Sequence, residues 1–97
     1  MFSIRWEVKA IEEQNSIFDF WNKHNKSKTY SRKLFNEIKQ IESLLLKNPH
    51  LGTLTDFCDV RKVTVLSNFS LFYKVVGRII YILAVWDNRR NPDDLVL

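Results

Sequence analysis

The sequence contains two pairs of adjacent cations whose type and spacing suit the binding of an anionic group: Arg61-Lys62 and Arg89-Arg90. A guanidinium presents a planar fork of donors, which binds a carboxylate or a phosphate through two parallel hydrogen bonds. The three arginines are therefore candidates for binding an acidic partner. The alternative is a solvated cation at a strand end, or an arginine paired with the nearby Asp59 or Asp87. Both interpretations stay open from the residues alone.

The other residue types that commonly catalyse reactions are isolated from one another. His24 and His50 lie in predicted loops with no acid–base partner nearby, so we expect no catalytic role for either. Cys58 has no adjacent histidine or second cysteine, and we expect it to be a small buried hydrophobic residue. Tyr73 and Tyr81 have rings that could stack on a substrate, but we expect both to pack in a sheet with the hydroxyl at a polar edge.

The composition restricts the kinds of protein that the sequence can encode. Ninety-seven residues provide for a single domain, residues 1–97, with no room for a second core. Fifteen Lys and Arg against eleven Asp and Glu give a net charge of +4, which favours nucleic acid or an acidic protein as partner. One cysteine excludes an internal disulfide and a Cys/His zinc site, and we expect no metal or cofactor. Without a signal peptide or an apolar stretch of about 18 residues, we expect a cytoplasmic protein that does not enter membranes.

The first half of the sequence predicts one strand and two helices, over residues 2–8, 10 to about 22, and 29–47. The strand shows apolar and polar residues in alternation, and both helices show an apolar stripe with a period of three to four. In the first helix the pattern places Glu12 and Glu13 on the side opposite the stripe. Asn48-Pro49 ends the second helix, because proline lacks the amide hydrogen and restricts the residue before it. The short connection at 23–28 makes the helices an antiparallel hairpin.

The second half predicts a loop and then three strands, over residues 52–59, 61–66, 69–76 and 79–86. Gly77-Arg78 is predicted to be a tight turn. The last strand is apolar throughout, and a strand that is apolar on both sides must be covered on both, so we expect it inside the sheet. The order β-α-α-β-β-β is that of an α+β domain, with a helical hairpin packed on a mainly antiparallel four-stranded sheet.

This order of elements, together with several short motifs, resembles the RelE/ParE superfamily of toxins from type II toxin–antitoxin pairs. The resemblance extends from Ile4 to Leu95. The motifs are IRW at 4–6, DFW at 19–21, KNPHLG at 47–52, VRKV at 60–63, LFYKV at 71–75 and IYILAVWDNRRNP at 80–92. Their order and spacing together carry the resemblance, since each motif alone is common.

The superfamily holds two activities, and the resemblance implies different residues for each. RelE-like members cleave mRNA in the ribosomal A site with Lys and Arg side chains on three strands and a Tyr or His near the C-terminus. ParE-like members inhibit DNA gyrase. For cleavage the candidate catalytic residues here are Arg61, Arg89 and Tyr73.

Three positions of the RelE-like set carry other residues in this sequence. Val63 and Ser70 occupy positions that are basic in RelE-like toxins, and Leu95 follows where a Tyr or His is expected. Asp93 and Asp94 would also repel a phosphate. The motif Arg-Arg-Asn-Pro is the ParE-like ending, so we expect binding rather than nuclease activity.

The resemblance therefore predicts a toxin that inhibits DNA gyrase when free and that a cognate acidic antitoxin neutralises in a hetero-oligomer. The predicted target- or antitoxin-binding residues are Arg61, Lys62, Arg89 and Arg90. An amphipathic antitoxin segment would lie in a groove between helices and sheet, with its acidic residues near the arginines. Two alternatives stay open. One is an mRNA endonuclease with the ribosome and mRNA as partners, and the other is a non-toxic module that only binds the antitoxin.

Overall fold

The computed structural model describes residues 1–24 and 28–97 of the chain. Its elements are β1 Ser3–Trp6, α1 Val8–His24, α2 Thr29–Lys47, β2 Thr53–Leu54, β3 Val60–Val65, β4 Phe69–Val76, β5 Ile79–Asp87 and a 3₁₀ turn at Pro92–Asp94. The bounds of α2 and β4 are those that the sequence predicts. The predicted connection at 23–28 includes residues 25–27, which lie outside the described residues.

The five strands form one mixed sheet with the order β1-β5-β4-β3-β2. β1 and β5 are parallel, and the other neighbours are antiparallel. The four-stranded prediction misses β2, a two-residue strand in which Thr53 lies opposite Lys62. A strand this short has no alternation to detect, so its residues read as loop. β5 lies between β1 and β4, which confirms its predicted place inside the sheet.

Both helices cover the same side of the sheet, which we call the helix-covered face. The predicted stripe of α2 is buried there, with Leu34, Ile38 and Leu45 each no more than 1% exposed. These side chains pack with residues of the strands, among them Tyr73 and Ile82, in the main core. Each such aliphatic side chain contributes about 1.5–3 kcal/mol by leaving water. The helical hairpin is thus held to the sheet by the stripe that the sequence displays.

The opposite side, which we call the open face, carries a smaller apolar cluster, formed by Val60, Phe72, Ala84 and Trp86. The pairing shifts from Phe72 opposite Ala84 to Tyr73 opposite Ile82, which leaves Leu83 as an extra residue in β5. This bulge changes the alternation, so that Ala84 and Trp86 face the open side. Leu95 of the C-terminal segment packs on the cluster. The end of β5 is therefore apolar on both faces because both are covered there.

Two local predictions are wrong. Cys58 is exposed rather than buried. It lies in the connection between β2 and β3, at the border of the sheet. Glu13 does not point away from the apolar side of α1, since its Oε1 accepts a hydrogen bond of 3.2 Å from the backbone N–H of Val85.

The bounds of the first two elements also differ from the prediction. The strand β1 stops at Trp6, and α1 begins at Val8 rather than at residue 10, so its first turns lie beside β5.

Candidate functional site

A cleft of about 530 Å³ lies between α1 and the end of β5, and we call it the α1–β5 cleft. Its floor is apolar and aromatic, made by Ile17, Phe20, Trp21, Phe69 and Val85. Its rim is charged, made by Lys9, Glu12, Glu13, Asp87, Arg89 and Arg90. An apolar floor with a few charged groups around it is the usual composition of a binding site.

Arg89 and Asp87 form a fork-to-carboxylate pair on the rim. The Nε and NH2 nitrogens of Arg89 lie 3.0 and 2.7 Å from Oδ1 and Oδ2 of Asp87. The backbone N–H of Arg89 donates to Oδ1 as well, at 2.9 Å. The side-chain hydrogen bond from Arg89 is the main reason that the pKa of Asp87 lies below its ordinary value, and the same bond raises the pKa of Arg89. The carboxylate therefore fixes the direction in which the guanidinium points.

Each of the two consecutive arginines lies over a tryptophan ring. The guanidinium carbon of Arg89 is 5.4 Å from the ring centre of Trp21, in the α1–β5 cleft. That of Arg90 is 4.4 Å from the ring centre of Trp86, on the open face. Such stacking holds a guanidinium in place while its edge donors stay available to a partner. Within the described residues Arg90 makes no ion pair, so it is the cation of the rim that is left to bind an acidic group.

The opposite wall of the cleft is braced by Lys9 and Glu13. The Nζ of Lys9 lies 3.8 Å from Oε2 of Glu13, whose other oxygen accepts from the N–H of Val85. Lys9 also donates to the backbone carbonyl of Val96. Because β1 ends at Trp6, which is level with Ile82, the N–H of Val85 has no strand partner on that side. The Glu13 carboxylate supplies the missing acceptor and ties the helix to the sheet.

Arg61 and Tyr73 lie elsewhere, on the helix-covered face, and hold the loop that follows α2. Arg61 donates to the carbonyls of Gly52 and His50, at 2.7 and 3.3 Å. The Tyr73 hydroxyl donates to the Pro49 carbonyl at 2.9 Å and accepts from the Gly52 N–H at 2.8 Å. Burial raises the pKa of Tyr73. Both side chains thus have structural partners, and the Tyr73 hydroxyl is enclosed.

Gly52 is the reason that this loop can approach so closely. A Cβ atom there would lie 2.8 Å from the Lys62 carbonyl and 2.8 Å from the Tyr73 ring and hydroxyl. Only a residue without a side chain fits against the Lys62 backbone of β3 and the Tyr73 ring of β4. The predicted motif at 47–52 therefore acts through its backbone.

The structure does not bring the four predicted cations together. Successive residues of a strand point to opposite faces, so Arg61 faces the helices and Lys62 is exposed on the open face. Arg61 lies opposite Tyr73 of β4, which in turn lies opposite Ile82 of β5. Arg89 comes after the end of β5 at Asp87. Counted along β4 from Tyr73 to Phe69, the two levels are about 13 Å apart. A binding role for each cation stays a prediction, but the four do not form one surface.

The three positions at which this sequence departs from the RelE-like set also lie on both faces of the sheet. Val63 lies among the residues packed against the main core, on the helix-covered face. Ser70 is buried on the open face, where its Oγ donates to Oδ1 of Asn88 at 2.7 Å. Leu95 packs on the open-face cluster. The open face near Ser70 carries the uncharged Thr64 opposite it on β3, and on its other side Trp86 of β5 with the Arg90 guanidinium over its ring.

Sequence reasoning missed Glu13 and Trp21 as parts of the cleft. A helical period of 3.6 places Glu13 at the border of the apolar stripe, and only the early end of β1 shows that a carboxylate is needed there. The role of Trp21 depends on where the chain turns after β5.

Among residues 1–24 and 28–97, no group of three or more His, Cys, Asp or Glu side chains could hold a metal ion. No helix in the same ranges is long and apolar enough to cross a membrane.

Comparison with known structures finds the same architecture in several bacterial toxins. A chromosomal ParDE toxin–antitoxin system from P. aeruginosa matches with a TM-score of 0.76 and 24% identity, over 90% of this chain and 96% of that one. The isolated RelE toxin of E. coli matches with 0.65 and 15%, over 96% and 90%. The E. coli DinJ–YafQ complex matches with 0.60 and 13%, over 92% and 96%. At these identities the likeness shows the fold.

Comparison of the sequence with protein families is more specific. No curated protein matches the chain by sequence. A family model described as the ParE toxin of a type II toxin–antitoxin system, parDE, matches residues 4–92, which is nearly the whole chain. The motifs, the fold and this match agree, and the chain belongs to the ParE toxin family of type II toxin–antitoxin systems.

Proposed function

We propose that this toxin acts by binding proteins: it inhibits DNA gyrase when free, and a cognate acidic antitoxin neutralises it in the cytoplasm. The observation that supports binding over RNA cleavage is that the candidate catalytic side chains lie at two different ends of the sheet. Cleavage requires groups that activate the 2′-hydroxyl, stabilise the phosphate and protonate the leaving oxygen at one place. Arg61 and Tyr73 are engaged with the loop at 49–52, and Arg89 lies at the other end of the sheet.

The choice of gyrase rests on the ParE family, and that of an antitoxin partner also on the solved relatives. Those relatives include the ParDE system and the DinJ–YafQ complex, in which toxin and antitoxin are named together. A hetero-oligomer of toxin and antitoxin is the corresponding proposal here.

The α1–β5 cleft is the place where we propose that the antitoxin binds. Its aromatic floor suits apolar side chains of an amphipathic segment. On the rim, Asp87 already neutralises Arg89, and Glu13 lies beside Lys9. Arg90 also lines the cleft, but its guanidinium lies over Trp86 on the open face and makes no ion pair within the described residues. We therefore assign to Arg90 an antitoxin carboxylate that reaches from the cleft past the end of β5.

Binding by the antitoxin is tested with three arginine variants. Arg90→Ala should weaken antitoxin binding more than Arg89→Ala, while Arg32→Ala, an exposed arginine outside the cleft, should leave it unchanged. Calorimetric titration gives the three dissociation constants. Saturating antitoxin at a thousandfold excess over Kd should stabilise the wild-type toxin by about 4 kcal/mol. A loss that is equal for all three variants, or a melting temperature that antitoxin does not move, would contradict this binding site.

The target is tested by two assays run side by side with purified toxin. One follows supercoiling of a relaxed plasmid by gyrase, and the other follows cleavage of ribosome-bound mRNA by primer extension. We expect inhibition in the first and no codon-phased cuts in the second. Cuts that disappear in Arg89→Ala would favour the endonuclease. Antitoxin binding without growth arrest on induction would favour the non-toxic module.

A further inference from the structure

The open face of the sheet carries a row of side chains that the proposed function does not use. Arg5 of β1 lies opposite Tyr81 of β5, and Tyr81 lies opposite Lys74 of β4. The Arg5 guanidinium carbon is 6.0 Å from the centre of the Tyr81 ring. Neighbouring strands are about 4.8 Å apart, so the backbone positions of Arg5 and Lys74 lie about 10 Å from each other with Tyr81 between them. Lys62, on the next strand, extends this basic patch toward Phe72.

These cations are free to bind an external anion. Within residues 1–24 and 28–97, neither Arg5, Lys62 nor Lys74 forms an ion pair. Arg5 and Lys62 are exposed, and Lys74 and Tyr81 are half-buried, so each side chain is accessible to a ligand on this face. The helices cannot cover the row, because they pack on the other side of the sheet.

Carboxylates lie mainly away from the row. Asp56 and Asp93 line a groove toward the Trp86 end of the open face, which reaches Lys62 but neither Arg5, Tyr81 nor Lys74. Asp59 shares a small cavity with His50 and Arg61, at the helix-covered side. Glu7 follows β1 and lies two residues beyond Arg5, at the turn into α1. The charges at the Trp86 end of the open face are therefore mixed, since Arg90 lies there too, whereas Arg5 and Lys74 flank Tyr81 with few carboxylates nearby, which favours an anionic polymer at the row.

We propose that the row Arg5–Tyr81–Lys74, with Lys62, binds single-stranded DNA without sequence preference. An exposed aromatic ring on a sheet stacks on an unpaired base, and cations on either side of it contact the phosphates before and after that base. A duplex keeps its bases stacked on one another and cannot use the ring. An acidic peptide would use the cations but not the ring. The tyrosine between the cations is therefore the feature that selects a single strand.

This surface is separate from the α1–β5 cleft, so the inference does not depend on which protein the toxin inhibits. The DNA measurement below uses no gyrase, and its failure is distinct from a failure of the supercoiling assay.

The experiment measures the binding of a fluorescently labelled thymidine 20-mer to the full-length toxin by fluorescence anisotropy. Three contacting cations give a slope of log K against log salt of about −2, and removing one of them reduces the slope by about 0.7. Tyr81→Leu should weaken binding roughly fivefold or more, because stacking on one base is lost. Lys74→Gln and Arg5→Gln should each lower the affinity and the slope.

Matched controls and competitors make the result decisive. Lys33→Gln removes an exposed charge from α2, on the other side of the molecule, and should bind like the wild type. A blunt duplex of equal length should bind more weakly and should not respond to Tyr81→Leu. Thermal unfolding of each variant checks the fold, and the two glutamine variants at accessible side chains keep the test valid if Tyr81→Leu unfolds.

Several outcomes would overturn the inference. Among them are the absence of measurable binding of the 20-mer by the wild type, and equal affinity of Tyr81→Leu and the wild type. Displacement of the 20-mer by polyglutamate at equal charge concentration would instead identify the patch as a site for an acidic protein. An effect of Lys33→Gln as large as that of Lys74→Gln would show that only the overall charge matters.

Discussion

Removing the hydroxyl of Tyr73 tests whether this residue has a structural role. Tyr73→Phe keeps the buried ring but leaves the Pro49 carbonyl and the Gly52 N–H without their partner, and both residues are buried. A buried polar group that loses its hydrogen bond costs about 1–3 kcal/mol. For two such groups, with some relaxation of the loop, we expect a loss of about 2–3 kcal/mol in the free energy of unfolding.

The assay is equilibrium unfolding in urea, with Tyr81→Phe as the matched control. The Tyr81 ring is half-buried on the open face, so removing its hydroxyl should change stability by less than about 0.5 kcal/mol. For a domain of this size, a loss of 2 kcal/mol lowers the melting temperature by roughly 8–16 °C. A Tyr73→Phe variant as stable as the wild type would show that these two hydrogen bonds do not stabilise the fold. If that variant also lost an RNA cleavage activity, Tyr73 would be a catalytic residue.

Three further predictions concern the contacts that shape the cleft and the loop. Glu13→Ala should lower stability by about 1 kcal/mol because the N–H of Val85 loses its acceptor. Glu13→Gln, which keeps an oxygen, and Glu12→Ala should stay near the wild type in urea unfolding. Gly52→Ala should be destabilised by more than about 2 kcal/mol, since its Cβ would meet backbone and ring at 2.8 Å; normal stability would contradict the close packing. The side-chain hydrogen bond from Arg89 holds the pKa of Asp87 in the folded protein below the ordinary value of an aspartate. Their pairing therefore stabilises the fold above that ordinary value, and the stabilisation is lost as the pH falls through the folded pKa. The difference in unfolding free energy between the wild type and Asp87→Asn should therefore shrink between pH 5 and pH 2, and a constant difference would contradict the pairing.

Periodicity in the sequence was sufficient to predict much of the fold. The helix α2 has an apolar stripe on one side and Asn48-Pro49 at its end, and both of its bounds are as predicted. Strand β4 alternates cleanly and ends before Gly77, which has the positive φ of 60° that the tight turn requires. These signals are local, so they can be read without knowing which elements are neighbours.

The candidate site could be predicted only in part, because it depends on pairing between distant residues. Arg89 and Asp87 are close in sequence, and their ion pair was among the expected alternatives. The contact of Glu13 with Val85 joins residues 72 positions apart, and no pattern of either segment signals it. Arg61 and Lys62 lie on opposite faces of the sheet, and which face each one takes depends on the register of β3, which begins at Val60. A shift of one residue would exchange the faces of the two side chains.

The bulge at Leu83 is a second feature that the pattern hides. An apolar run shows that both sides of β5 are covered, but it does not show where the alternation changes. Without the bulge, Val85 would face the open side and Trp86 the helices. The two tryptophan–arginine contacts depend on this change, since Trp86 must lie on the open face to hold Arg90. The division between cleft and open face is thus set by one inserted residue.

Whether this ParE-family toxin acts by binding to gyrase is measured by supercoiling of a relaxed plasmid with purified gyrase. Free toxin should stop the supercoiling, and an equimolar amount of cognate antitoxin should restore it. Full gyrase activity at a saturating concentration of toxin, together with codon-phased cleavage of ribosome-bound mRNA, would show instead that the toxin acts on the ribosome.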